Sequence, residues 1–399
     1  MTDSAPAHGD PADGVLDIPF PDAFAFDPSP TWARLREEAP VVRARTLTGA
    51  LVWLVTRYDD VKLVLADPRF SRAAVVAPGA PRAGVSKPLP NTLPTTDPPE
   101  HTRLRKLVSG AFSHRRVEAT RPWVRELCEE LADGLVAGAD LRRVFALPLP
   151  IQVICTLLGV PYADRERFRG WVELAYSLEV SERPRVEAAM AGLLEYMGAL
   201  VADKRRAGRS DDVLDELCAT PLTHDELVAF ALNLLVAGHE TSANQITSFV
   251  ATLLRDRRHW ERLAAEPELV PVAVEELMRF TRLSDVGQLR IALEDVEVAG
   301  VRVRAGEGVM ASIGSANRDP RAFPEPDELN LTRAPNQHLA LGVGPHFCLG
   351  AQLARVELQE ALLVLLRRFP GLRPARPVDE LAWRRVLVSG LAELPIVPE

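Results

Sequence analysis

Cys348 stands in LGVGPHFCLGAQLA (341–354), after a glycine-rich turn and directly before an apolar, amphipathic helix. Backbone N–H groups at such a helix start stabilise a thiolate, which lowers its pKa and makes it a metal ligand. Gly342, Gly344 and Gly350 let the backbone turn tightly and approach a flat group closely. A buried cysteine at an ordinary helix start would read the same way, so the flanking spacing has to discriminate. A dinucleotide GxGxxG needs glycine where Phe347 stands. Zinc needs more ligands than His346 and Cys348, and covalent haem attachment needs CxxCH, which the chain lacks. The other cysteines, Cys128, Cys155 and Cys218, are scattered through apolar helical stretches and read as buried thiols in a reducing compartment.

Three more sets have helical spacing. His101 and Arg105 are i,i+4 and point the same way, whereas Glu276 and Arg279 are i,i+3 and could pair. Glu240 and Thr241 follow Gly238 inside an apolar helix, where the threonine hydroxyl competes for backbone carbonyls. Taken singly, each has a plainer reading: solvated surface charges, a weak surface pair, a threonine bonded to its own i−4 carbonyl.

Mostly helices must position these groups. Thr223 and Glu226 form a capping box, and the apolar stretch that follows predicts a buried helix to Leu254, roughly 48 Å long at about 1.5 Å per residue. Residues 41–45 and 50–55 read as a hairpin, 56–67 as a helix, and 100–287 as helical with breaks at Ser113, Gly138, Pro161, Ser181 and Ser210–Asp211. Short strands return over 295–312, and a helix runs from Leu349 to about Phe369. Residues 71–96 have no period and several prolines, and so long a loop is usually functional or disordered. The expected fold is mainly α with small β-sheets, one large domain over 21–399 behind a flexible segment 1–20.

A net charge of −8 argues against nucleic-acid binding, and only four of the 47 basic residues are lysine. The first 20 residues lack a basic, then apolar, secretory pattern. The longest apolar run, Leu227 to Gly238, is interrupted by Asn233 and is shorter than the about 20 residues that span a bilayer. A cytoplasmic protein that binds neither membrane nor nucleic acid is expected.

The cysteine segment resembles the cysteine-ligand loop of the cytochromes P450, written FGxGxHxCxG: Gly342, Gly344, His346, Cys348 and Gly350 match, and Leu341 replaces the phenylalanine. AGHET (237–241) resembles the family's oxygen-activation motif, EELMR (275–279) its ExxR pair, DPPEHTRLR (97–105) the start of its C helix, and 289–333 its strand and meander region. The resemblance covers roughly residues 30–399, in the family's order.

The resemblance implies haem b (iron protoporphyrin IX) between the long central helix and the cysteine loop, with Cys348 as axial ligand. His101, Arg105, Arg290 and His346 would hold the propionates, and Gly342, Gly350 and Ala237 would lie against the haem. Thr241 would hydrogen-bond the oxygen being activated, and Glu240 would help relay protons. Glu276 and Arg279, joined by Arg333, would be structural. Leu93, Val236, Val286 and Val388 would line a largely apolar substrate pocket.

The implied activity is insertion of one oxygen atom from O2 into a hydrophobic small molecule, as in bacterial enzymes that tailor macrolides and other polyketides. The chain has no nucleotide fingerprint and no room after Cys348 for a redox module, so electrons would come from a ferredoxin and its reductase. Arg103, Lys106, Arg115 and Arg116 would form part of a docking face on a monomer. Two other classes stay open: a peroxide-driven haem-thiolate enzyme, whose members tend to lack the acid–alcohol pair, and a non-catalytic haem-binding protein.

Overall fold

A computed structural model describes residues 14–208 and 212–398. Residues 1–13, most of the segment expected to be flexible, lie outside the described residues, as does the break expected at Ser210–Asp211. Residues 14–20 correct the expected boundary. Leu16–Asp17 is a short strand parallel to Val41–Arg45, and Ile18 and Phe20 are buried beneath it.

The central helix spans His224–Arg255, 32 residues. Thr223 caps it: its side chain accepts from the Glu226 N–H, and the Glu226 carboxylate accepts from the Thr223 N–H. The helix is buried nearly all round because other helices surround it, chiefly Pro148–Leu158, Arg183–Ala207 and Ala351–Arg368. An amphipathic stripe would not serve an element packed on several sides, which explains its apolar composition.

A six-stranded sheet lies at the other side, in the order Leu16–Asp17, Val41–Arg45, Leu51–Val55, Gly308–Ala311, Gln288–Ala292, Phe70–Ser71. The expected hairpin pairs Val41 with Val55 and closes through Gly49, whose φ of +83° suits glycine. Alternate residues serve opposite faces, as the two-residue period of a strand demands. Val52, Leu54 and Met310 enter one core cluster, whereas Val55, Val309 and Ala311 enter another. The large helical core is a third.

The 71–96 segment is irregular apart from single turns at Ala73–Val76 and Leu93–Thr95. It covers the space between sheet and central helix. The architecture is mainly α with small sheets, as expected.

Candidate active site

The cysteine loop is built by its glycines. Gly342 and Gly344 have φ of +73° and +74°, and a Cβ at Gly344 would stand 2.9 Å from the Ala66 Cα. No other residue type fits there. The turn returns the Cys348 N–H to the Leu341 carbonyl at 2.9 Å, and the helix Ala351–Arg368 then leaves. Gly350 has an ordinary backbone conformation, and its contribution is an N–H that donates to the Cys348 sulfur. Cys348 presents open surface, yet desolvation by the surrounding protein raises its thiol, opposed by the Gly350 N–H and by Arg105 and Arg355. A side chain both accessible and desolvated faces an internal space. Leu341 is half-buried against the helical core. Phe347 is 40% exposed, so it does not fill the space left by the missing aromatic at 341.

Cations gather beside this loop. The His101 and His346 rings lie 4.4 Å apart. His101 is buried and its Nε2 has no hydrogen-bond partner among the described residues. Desolvation lowers His101, with Arg105 adding to it, and pushes His346 down to about 3, with Arg290 adding to it. Both rings are therefore neutral near pH 7. Arg290 and Arg72 each donate to the same Leu289 carbonyl, at 3.0 and 2.9 Å. Desolvation pushes Arg290 down to about 9 and Arg72 to about 10, with Asp97 pulling the other way. That carboxylate is taken up by the Ser71 hydroxyl and by the Arg72 and Ala73 N–H groups. Two guanidinium groups converging on one carbonyl, with two neutral imidazoles beside them, match two carboxylates in number and in donors. The site thus fits haem, which offers two propionates and an iron position for sulfur.

Sequence reasoning missed Arg72. It opens the irregular loop, and nothing in its spacing ties it to Arg290, 218 positions later. Arg105, expected beside the propionates, also reaches the loop itself. Its guanidinium donates to the Pro345 and Phe347 carbonyls at 3.1 and 2.7 Å, so it holds the cysteine loop.

Across the internal space runs the central helix. Thr241 lines a cavity of about 510 Å³, and its hydroxyl donates to the Ala237 carbonyl at 2.7 Å. The plainer reading of this threonine holds, since it is bonded to its own i−4 carbonyl; the hydroxyl oxygen keeps acceptor capacity on the cavity wall. The helix stays continuous there.

Glu240 does not line the cavity. It is fully buried, paired with Arg142 at 2.9 Å and with Arg384, while its Oε2 has no partner. Burial alone would raise this carboxyl, but Arg384 and Arg142 hold it below its ordinary value, as a carboxylate.

Val236, Ala237 and Val388 line the cavity as expected. Leu93 and Val286 do not. Leu93 packs on the helical core beside a small separate pocket, and Val286 is buried within a sheet cluster. A one-turn helix at 93–95 turns Leu93 outward and leaves Thr92, Pro94 and Thr95 facing in. The cavity lining is largely apolar, as expected, but includes four cationic side chains.

Behind the cysteine loop, Glu276 accepts from Arg279 at 2.7 and 2.8 Å and from Arg333 at 3.1 Å. All three are buried. Desolvation would raise the Glu276 carboxyl; Arg279 holds it down. Arg279 and Arg333 spend their remaining donors on carbonyls of residues 317–328. The neighbouring Glu275 pairs with Arg355 of the cysteine helix at 2.7 Å and with His338. Adjacent carboxylates on one helix therefore pin both the meander and the helix that follows Cys348.

On the surface, Arg103 pairs with Glu100 and Glu226, and Arg116 with Glu216. Only Lys106 and Arg115 of the expected docking face carry no ion pair among the described residues.

Comparison with known proteins places this geometry. The profile of the family described as Cytochrome P450 matches residues 173–381. Nocardicin C N-oxygenase of Nocardia uniformis subsp. tsuyamanensis is 48% identical, covering 95% of this chain and 97% of that protein. Mycinamicin IV hydroxylase/epoxidase of Micromonospora griseorubida is 44% identical, covering 95% and 98%. The crystal structure of the LnmA cytochrome P450 hydroxylase from the leinamycin biosynthetic pathway of Streptomyces atroolivaceus S-140 is 46% identical. It superposes with a TM-score of 0.86 over 96% of this chain and 100% of that one.

Proposed function

The chain belongs to the cytochrome P450 family, and from that premise we propose that it tailors a hydrophobic secondary metabolite with Cys348 as its iron ligand and electrons from a ferredoxin and its reductase. It is a haem-thiolate monooxygenase, and it uses O2 and a separate source of electrons. The observation that carries the site assignment is the pairing of the cysteine loop and its cationic cluster with the Thr241 face of the central helix. The thiolate-ligated haem, when bound, supplies the oxidising chemistry, since the thiolate favours O–O cleavage.

The chain's own residues do the rest. The Gly350 N–H, Arg105 and Arg355 oppose the desolvation that raises the Cys348 thiol, and a bound iron would hold the sulfur as thiolate. Arg72, Arg290, His101, His346 and Arg105 would hold the propionates of a bound haem, and Arg105 also fixes the loop. Thr241 offers a hydroxyl on the cavity wall, tethered to Ala237, that can accept or pass a proton. Glu240 moves protons only when it leaves Arg142 or Arg384. Arg384 lies 3.8 Å from the more exposed Glu173, which opens that route toward solvent. Glu276, Arg279 and Arg333 position the loop and take no part in the chemistry.

Several relatives act, by their names, on antibiotics and their precursors: nocardicin C, mycinamicin IV, 20-oxo-5-O-mycaminosyltylactone. A tailoring step in antibiotic biosynthesis follows for this chain. No helix among the described residues is long and apolar enough to cross a membrane; we read the chain as a monomeric, cytoplasmic enzyme whose domain takes in residues 14–20 along with 21–399. Turnover of a polyketide and macrolide panel with NADPH, 18O2 and a surrogate ferredoxin system tests the reading. One labelled oxygen per product supports it. Product formed from hydrogen peroxide alone, and never from O2, would make the chain a peroxygenase. Absence of product from a haem-loaded protein that accepts electrons would favour a binding protein.

A further inference from the structure

Among the described residues, four side chains lining the 510 Å³ cavity are cationic, namely Arg72, Arg82, Lys87 and Arg282, and no carboxylate or histidine lines it. That sign runs against the chain, which has 55 acidic and 47 basic residues. Two of the four are accounted for. Arg282 pairs with Asp285 at 2.6 Å and donates to carbonyls of residues 25–27. Arg72 belongs to the propionate cluster with Arg290. The other two have no ion pair or hydrogen bond among the described residues: Arg82 is half-buried and Lys87 exposed.

Their backbone is well anchored. Gly84 and Val85 between them are buried, and a Cβ at Gly84 would touch Leu178 and Leu387 at 3.6 and 3.8 Å. The loop thus holds two unpaired cations at the wall of a cavity whose deeper lining, from Leu232 to Ala237 and around Leu387, is largely apolar. A half-buried guanidinium without an anion gives up hydration without compensation, and a carboxylate is the group that matches its paired donors.

We propose that the substrate is an apolar acid: a hydrophobic body that enters toward Thr241, with a carboxylate held by Arg82 and Lys87. The assignment rests on the cavity being the substrate site of a haem-thiolate monooxygenase. Arg82 and Lys87 are then the specificity residues, discriminating by charge rather than by shape. An uncharged analogue of the same shape leaves both cations unpaired and binds less well.

Calorimetric titration of the haem-loaded protein at neutral pH tests this with three acids of increasing bulk: dodecanoic, 1-naphthylacetic and abietic acid. Each is compared with its primary amide. At least one acid is expected to bind about tenfold more tightly than its amide. The advantage should shrink with added salt and vanish in the Arg82→Gln/Lys87→Gln double variant. Arg82→Lys, which keeps the charge, should retain most of it. Equal affinity for every acid and amide, no binding of any acid, or a preference that survives the double variant would each overturn the proposal. The carbon monoxide difference spectrum of the same samples separates this from the reading it rests on. A thiolate-type Soret band with no acid preference removes only the substrate class, whereas loss of that band in the parent protein removes the monooxygenase site itself.

Discussion

Thr241 shows how far residue type alone carries an argument. Its place after Gly238 in an apolar helix fits a self-bonded threonine as well as a catalytic one, and the structure shows the self-bond in a side chain that lines the cavity. The hydroxyl spends its proton on Ala237 at 2.7 Å and turns its lone pairs to the cavity. Thr241→Ala removes that group without opening the helix. Haem and substrate binding should persist, and product formed per NAD(P)H consumed should fall at least about tenfold, as expected for loss of positioned proton transfer, with hydrogen peroxide as the balance. An unchanged ratio would reduce Thr241 to a helix residue. Cys348, Gly342 and Gly344 were legible because a positive φ and a sulfur before a helix leave clear marks. Arg72 was not, since a lone arginine in an irregular loop carries no sign of what it faces. Leu93 and Val286 failed as pocket residues for a related reason: one short turn decides which side of a loop faces in, and no period announces it.

Elements are fixed by buried ion pairs more than by propensity. The ExxR helix, Val270–Phe280, ties the meander through Glu276 and the cysteine helix through Glu275. Sequence spacing suggested the i,i+3 pair and the family pattern suggested Arg333, but Glu275–Arg355 was invisible before the chain was folded. Glu275 is held down to about 2: Arg355 and His338 donate to it and outweigh burial. Glu276→Gln leaves Arg279 and Arg333 charged and unpaired in a dry site, a loss of about 3–5 kcal/mol. The expected result is a protein that loses haem much faster than the parent, followed by transfer to apomyoglobin. Equal haem-loss rates would show that the triad does not support the cysteine loop. Glu240 carries the same lesson. Its partners Arg142 and Arg384 come from elements 98 and 144 residues away, so the two arginines that anchor the carboxylate expected to help relay protons carried no local mark.

At the scale of the whole molecule, the order of helices and strands was legible, because capping, apolar runs and turn residues mark them locally. The cavity was not, because its walls come from many segments spread between residues 72 and 388. Overall stability also depends on one buried acid. Glu357 on the cysteine helix is almost fully buried, and desolvation pushes its carboxyl from 4.5 up to about 8, against a hydrogen bond from Ser242. A carboxyl with a raised folded-state pKa binds its proton more tightly when folded. Its contribution is therefore complete below about pH 4.5, falls as pH rises toward about 8, and is flat above that. Glu357→Gln removes this titration, so parent minus variant Tm should decline across that window; a flat difference would mean that Glu357 is not protonated in the folded protein. The account as a whole turns on one sulfur, which the fold places at a glycine-built turn before the helix Ala351–Arg368. The reduced carbon monoxide spectrum of four single variants tests it most directly. Cys128→Ser, Cys155→Ser and Cys218→Ser should keep the red-shifted Soret band, and Cys348→Ser should lose it; a normal band in Cys348→Ser would contradict the account.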